Sequence, residues 1–308
     1  MSIYAQLTLA ELHERFCAEA ENIRRLKPKT IKWYREGFQS LLRFKPYQNA
    51  RQLNELELSD FMFWGMKEQS WKERTLMAYY NSLNSFFNWC VRKQALEVNP
   101  LKNIPRPKLP QQLPKALSQA DAVRLFECVQ IMPIPKEYKP PIFHKRRNIA
   151  IFSMFLFTGI RRQELIDLKF TDINLEEETV SIRGGKGGKD RIIPMSPELK
   201  LHLQKYIEER EKLEITASPF FISHHYQKKI SDSTLKRLFK RVVELSGIRF
   251  SAHKLRHTFA TLMVRAKCDV LALSKMMGHS SIKTTMIYMS ASDDHLREQI
   301  NNHPLNFL

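Results

Sequence analysis

Residues 251–288 read SAHKLRHTFATLMVRAKCDVLALSKMMGHSSIKTTMIY, and the rest of the chain is organised around them. Ser251 has the chemistry of a helix N-cap, a short side-chain oxygen that accepts from the first free backbone N–H groups. His253, Arg256 and His257 follow at i, i+3 and i+4, so a helix puts them on one face. Phe259, Leu262 and Met263 add a buried stripe to the same helix. A second apolar run (Val270, Leu271, Leu273, Met276, Met277) leads into the turn Gly278-His279-Ser280, and a last short helix ends near Tyr288. Two histidines and an arginine converging near a tyrosine predict an anion held in place while a hydroxyl attacks it. For HxxRH taken alone, a basic surface helix with hydrogen-bonded histidines is an equal alternative. Zinc is another use of histidines at i, i+4. Here the intervening residues are Lys-Leu-Arg, with no carboxylate base, and Arg256 repels a cation, so no metal is expected.

Charge gives the second signal. The 308 residues carry 50 Lys+Arg against 32 Asp+Glu, a net charge of +18. The excess is +7 over residues 1–110 and +11 over residues 111–308. Both halves are basic, as expected if both grip one polyanion. Nucleic acid fits better than a membrane surface, because no strongly apolar, Lys-rich amphipathic segment is present. No signal peptide and no run of bilayer length is seen, which predicts no membrane partner. Cys17, Cys90, Cys128 and Cys268 are widely spaced and form no CxxC, so neither a disulfide framework nor a zinc knuckle is expected. A reducing, cytoplasmic setting follows.

Taken in order, residues 1–98 read as four helices. Thr8 to Glu11 has capping-box form, Pro28 opens a second helix, Ser59 a third, and Ser70 to Glu73 looks like a further capping box. Residues 99–114, NPLKNIPRPKLPQQLP, read as a Pro-rich basic linker. Residues 115–308 then form a second domain. It opens with a helix capped by Ser118, then a long loop over 130–147, then a buried helix from Ile149 that Gly159 ends. Arg161 stands in the first turn of the next helix, where pairing with Glu164 on the surface is the alternative to a functional role. Thr179–Ile182 and Arg191–Pro194 read as strands joined by a Gly-rich tip that carries Lys186, with Phe220–Ile222 as a short third strand. Helices near 197–212 and 232–246 complete the pattern. The fold class expected is mainly α with a small antiparallel β-sheet (α+β).

TGIRRQEL (158–165), GGKGGKDRIIPM (184–195), HKLRHTFAT (253–261) and MMGHSSIKTTMIYM (276–289) together make the chain resemble the tyrosine recombinases, the phage integrase family. The resemblance covers nearly the whole chain, and His279 precedes Tyr288 by nine residues as that family's last motif requires. It implies a helical core-binding domain and a catalytic domain that form a C-shaped clamp on duplex DNA. It also implies site-specific recombination through a 3′-phosphotyrosyl intermediate and a Holliday junction, without ATP, metal or cofactor. Tyr288 would be the nucleophile, and Arg161 and Arg256 would hold the non-bridging phosphate oxygens. Lys186 would protonate the departing 5′-oxygen, His253 would assist proton transfer, and His279 would donate to the phosphate. His257 would stand behind them, and Glu164 would position an arginine. The implied partners are double-stranded recombination sites and a homotetramer on two duplexes, with exchange of the C-terminal tail (Leu296, Ile300, Leu305, Phe307, Leu308). The alternatives are a type IB topoisomerase-like strand transferase and a non-catalytic DNA-binding regulator. Helices that start almost at Met1 leave no room for an additional arm-binding domain and favour a simpler recombinase of Xer or mobile-element type.

Overall fold

The computed structural model describes residues 3–109, 115–184, 190–223, 228–279 and 281–289. The chain divides into two compact units, residues 1–111 and 112–308.

The first unit is helical: α1 (Leu9–Ala18), α2 (Pro28–Phe44), α3 (Glu55–Lys67) and α4 (Glu73–Arg92). Thr8 caps α1 in a reciprocal box with Glu11. Its core is aromatic, with Phe16, Phe61, Phe86, Phe87 and Trp89 fully buried, and His13 lies flat on Phe38 at 3.9 Å between ring centroids. Two boundaries differ from the sequence reading. α3 starts at Glu55 rather than Ser59, because the Asn54 side chain accepts from Glu57 N at 3.0 Å and caps the helix earlier. Ser70 is no N-cap, and α4 begins after Lys72 without a side-chain cap. The turn there is set by Trp71, whose ring covers Gly65 so closely that a Cβ would sit 2.0 Å away.

In the second unit α5 (Gln119–Ile131) begins at the expected Ser118 cap. The long loop expected over 130–147 is shorter, confined to residues 132–140. α5 runs to Ile131, and α6 (Pro141–Thr158) starts with Pro141 in its first turn, a position that needs no N–H donor. α6 is the central helix, buried nearly all round, and Gly159 ends it in the left-handed conformation. α7 (Arg162–Asp167) follows, with Arg161 at its N-cap rather than inside its first turn.

The sheet is antiparallel in the order β1 (Ile173–Asn174), β2 (Thr179–Ile182), β3 (Arg191–Pro194). Ile182 pairs with Arg191 and Thr179 with Pro194. Its third strand is therefore 173–174, not the Phe220–Ile222 segment. That segment makes single bridges only, because side chains occupy its carbonyls: Phe220 O accepts from Arg210 Nη1 at 2.6 Å and from the Tyr206 hydroxyl at 3.2 Å. The remaining helices are α8 (Pro197–Lys212), α9 (Asp232–Ser246), α10 (Ala252–Arg265), α11 (Val270–Met277) and α12 (Lys283–Met289). α10 packs along α6, and Phe259, Ala260, Val264, Leu273, Met277 and Tyr288 form a small core that joins α10, α11 and α12. Among the described residues, no helix is long and apolar enough to cross a membrane.

Candidate active site

Two helix C-termini, of α6 and α11, end in left-handed glycines and turn their free carbonyls toward one cluster of arginines. Arg256, on α10 and only 4% exposed, donates from Nη1 to Gly159 O at 2.6 Å and from Nη2 to Met277 O at 2.5 Å. Arg161 donates from Nη2 to Gly278 O at 2.7 Å and from Nη1 to Glu164 Oε1 at 2.7 Å. The carbonyl ends of helices carry partial negative charge, so they are suitable seats for guanidinium groups that must be packed together away from water.

The electrostatics record that crowding. Burial first, and the Arg161 charge next, lower Arg256 to about 10. Burial alone would raise Glu164, but its bonds to Arg191 and Arg161 outweigh this and hold it at about 2. It is a permanent carboxylate there. Burial, followed by the charges of Arg256 and Arg161, lowers His279 to about 4. His279 Nδ1 lies 2.8 Å from the hydroxyl of the buried Thr285. That contact fixes the ring, so its other nitrogen is oriented by α12.

Tyr288 is nearly buried, at 6% exposure, and its hydroxyl lies 2.6 Å from His257 Nδ1. Burial raises the phenol above its ordinary value, and Arg256 opposes the rise. His257 is lowered to about 4 by burial, then by His253 and Arg256, so its imidazole is neutral near pH 7. The His253 ring stands edge-on to it at 4.2 Å between centroids. His253 is lowered too, by burial and then by Arg256. A cleft of about 590 Å³ is lined by Arg161, Arg256 and His253 together with Phe239 and Phe250. The arrangement can hold an anion between two guanidinium groups with a phenol close by.

The structure thus brings Arg161, His253, Arg256, His279 and Tyr288 into one site. Lys186 lies outside the described residues, as do Leu296, Ile300, Leu305, Phe307 and Leu308. Two features escaped the sequence reading. His257, expected behind the others, is the histidine in contact with the tyrosine. Arg191, read only as a strand residue, grips Glu164 with both terminal nitrogens, at 3.0 and 2.7 Å. Its position at the foot of the Gly-rich hairpin, next to Asp190, was the available signal. Among the described residues, no group of three or more His, Cys, Asp or Glu side chains could hold a metal ion.

Residues 122–295 match the family model described as Phage integrase family. The chain belongs to that family. Its similarity extends to the tyrosine recombinase XerC of Thermodesulfovibrio yellowstonii, 33% identical over 245 residues that cover 76% of this chain and 78% of that one. Tyrosine recombinase XerA of Pyrococcus furiosus is 32% identical over 238 residues, 76% of each chain. The crystal structure of XerH site-specific recombinase bound to its palindromic difH substrate, a post-cleavage complex, has a TM-score of 0.74 over 97% of this chain and 84% of that one. At 22% identity this likeness speaks for the fold. Members of the phage integrase family are tyrosine recombinases, and the mostly helical second unit with its three-stranded antiparallel sheet has that fold.

Proposed function

We propose that the protein is a site-specific DNA recombinase that cuts and rejoins duplex DNA through a 3′-phosphotyrosyl intermediate. The observation that carries this reading is the Tyr288 hydroxyl, held 2.6 Å from a neutral imidazole beside two guanidinium groups packed into one cluster.

Arg161 and Arg256 bind the two non-bridging oxygens of the scissile phosphate. Their fixed charge and planar donor fork stabilise the second negative charge that develops in the pentacoordinate transition state. Tyr288 attacks phosphorus, its proton passes to His257 Nδ1, and the P–O5′ bond breaks. His253, edge-on to His257, tunes that imidazole. His279 donates to a phosphate oxygen from the nitrogen that does not face Thr285. Lys186 delivers a proton to the departing 5′-oxygen. The phosphotyrosyl ester conserves the energy of the broken bond, so a free 5′-hydroxyl can reverse the step without ATP. Attack by the 5′-hydroxyl of a second duplex exchanges strands and gives a Holliday junction. The working assembly is a homotetramer on two duplexes with the C-terminal tails exchanged between neighbours. Basic residues in both halves of the chain, in the cytoplasm and associated with the nucleoid, serve one long polyanion. Residues 1–98 act as the core-binding domain, 99–114 as the linker and 115–308 as the catalytic domain.

A duplex substrate with a nick next to the cleavage point traps the covalent step, because the short 5′-hydroxyl fragment diffuses away. The wild-type chain is expected to form a protein–DNA adduct stable on a denaturing gel. Tyr288→Phe is expected to bind the same DNA with unchanged affinity and give no adduct. A normal adduct from Tyr288→Phe overturns the assignment, and adduct formation without exchange between two sites points to strand relaxation instead.

A further inference from the structure

The end of α11 seats three arginines, not two. The consecutive carbonyls of Met276, Met277 and Gly278 accept from Arg191 Nε at 2.8 Å, Arg256 Nη2 at 2.5 Å and Arg161 Nη2 at 2.7 Å. The Arg191 and Glu164 side chains are 8% and 9% exposed. Each oxygen of Glu164 takes one bond from Arg191, and Oε1 takes a second from Arg161. Gly278 lets this arrangement close, since a Cβ there would lie 2.9 Å from Arg191 Cδ.

We propose that Arg191 is a positioning residue for the phosphate site: it occupies Glu164 so that Arg161 is steadied by the carboxylate but not consumed by it. This rests on the reading of Arg161 and Arg256 as phosphate ligands. A lone arginine facing a carboxylate closes into the bidentate pair that both geometries favour. Arg161 would then spend on Glu164 the donors that a phosphate needs. Arg191 already holds the two-pronged position, so Arg161 keeps one bond to Oε1 and one to Gly278 O.

Charge supports the same role. Arg161, Arg191 and Arg256 against Glu164 leave the cluster with two uncompensated positive charges. A phosphodiester brings one negative charge and gains a second at the transition state, so the cluster is matched to the state it must stabilise. Without Arg191 the excess is one. Arg191 also begins β3, so the same side chain ties the foot of the hairpin to α7 and α11.

The test is single-turnover cleavage of a nicked duplex by full-length variants. Arg191→Met is expected to cleave about 10- to 100-fold more slowly, the scale of a misplaced catalytic group, with a DNA Kd within about threefold of wild type. Adding Glu164→Gln should restore part of the rate, because a neutral amide no longer draws in Arg161. Arg191→Lys should fall between, since it keeps the charge but not the fork. Combined with Arg161→Ala, Arg191→Met should slow cleavage little further, since it acts through Arg161. Full multiplication of the two losses, or no recovery with Glu164→Gln, overturns the proposal. Should Arg191→Met fail to fold, a wild-type rate from Arg191→Lys overturns it equally. A wild-type rate from Arg161→Ala alone would instead sink the phosphate-ligand reading beneath it.

Discussion

Two groups of arginines bonded to backbone carbonyls share the second unit, and they do opposite things with the same chemistry. Arg210, 2% exposed, donates from Nη1 to Pro219 O and Phe220 O at 2.7 and 2.6 Å and from Nη2 to Ala217 O at 2.7 Å. Arg147 donates to Ile222 O at 3.0 Å. Phe170 lies over the Arg210 guanidinium at 4.9 Å. These two arginines supplement the single backbone bridges of a segment that has no full strand partner, so their work is finished once the chain has folded. Arg161, Arg191 and Arg256 also bond to backbone carbonyls, at the ends of α6 and α11. The difference lies in what surrounds them. Burial lowers both Arg210 and Arg256, but the next contribution to Arg210, from Tyr206, raises it, while the next to Arg256, from Arg161, lowers it further. A satisfied structural arginine has companions that favour its charge. The site's arginine has neighbouring guanidinium groups that repel it, which Glu164 offsets in part and a bound anion offsets further.

The sharpest way to break that distinction is to remove one arginine of each kind. Arg161→Ala or Arg256→Ala is expected to slow covalent cleavage ~10²–10³-fold, or ~3–4 kcal/mol of transition-state stabilisation. DNA affinity should change little, because many other cations share the polyanion. Arg210→Ala should do the reverse. It strands the Pro219 and Ala217 carbonyls, leaves Phe220 O only its bond from the Tyr206 hydroxyl, and costs about 3 kcal/mol of folding stability, while the folded fraction cleaves at the wild-type rate. Thermal unfolding and single-turnover kinetics on the same preparations decide it. Equal losses of binding and cleavage for Arg161→Ala would make that residue a phosphate anchor and erase the contrast.

Sequence showed Arg161 and Arg256 and hid Arg191 and the Arg210 group, for physical reasons. Features set by neighbours in the chain were legible: the Thr8, Ser118 and Ser251 caps, the Gly159 stop, strands β2 and β3, and the shared face of His253, Arg256 and His257. Features set by partners far along the chain were not. Arg191 looks like an ordinary strand residue until Glu164, 27 positions earlier, supplies a buried carboxylate. Phe220 and Phe221 have the composition of a strand, but Arg210 and Tyr206 take the Phe220 carbonyl that a strand would use. Ser70-Trp71-Lys72-Glu73 has the letters of a capping box, yet the packing of Trp71 on Gly65 decides the turn. The roles of His253 and His257 are inseparable by spacing, since both lie on one face. The course of α12 selects His257 for contact with Tyr288.

Two glycines sharpen the comparison at a smaller scale. Gly247 and Gly278 both end helices with positive φ, 69° and 61°. A Cβ on Gly247 would meet nothing within 4 Å, whereas one on Gly278 would press on Arg191. Alanine in the left-handed conformation costs about 1–2 kcal/mol at either position. Gly247→Ala should show only that loss of stability. Gly278→Ala should add a further ~10-fold loss of cleavage rate by displacing the arginine seats. Equal behaviour of the two variants in cleavage would detach the α11 turn from the reaction.

The smallest effect separates His13 from His257. Burial is the first cause of lowering in both, and both come to about 4. His13 is stacked on Phe38 in the first unit, and His257 faces the tyrosine. A lowered histidine is neutral when folded and binds a proton more readily when unfolded. Its contribution to stability is therefore complete above the unfolded value near 6.5 and is lost as pH falls toward 4. Between those limits each unit should weaken with acid. Amide exchange in α1 and α2 should quicken as pH falls from 7 to 5, beyond the intrinsic change, and His13→Gln should flatten that response. The same variant should leave the pH profile of cleavage untouched, because His13 is packed among Phe16, Phe38 and Phe86 of the first unit's own core. For the wild type, cleavage per folded molecule should hold down to about pH 5 and fall only as His257 takes up a proton and can no longer accept one from Tyr288. His257→Gln should lower the rate and remove that acid limb. An acid limb that survives His257→Gln would assign the titration to His279, which is lowered to the same value by a different set of charges.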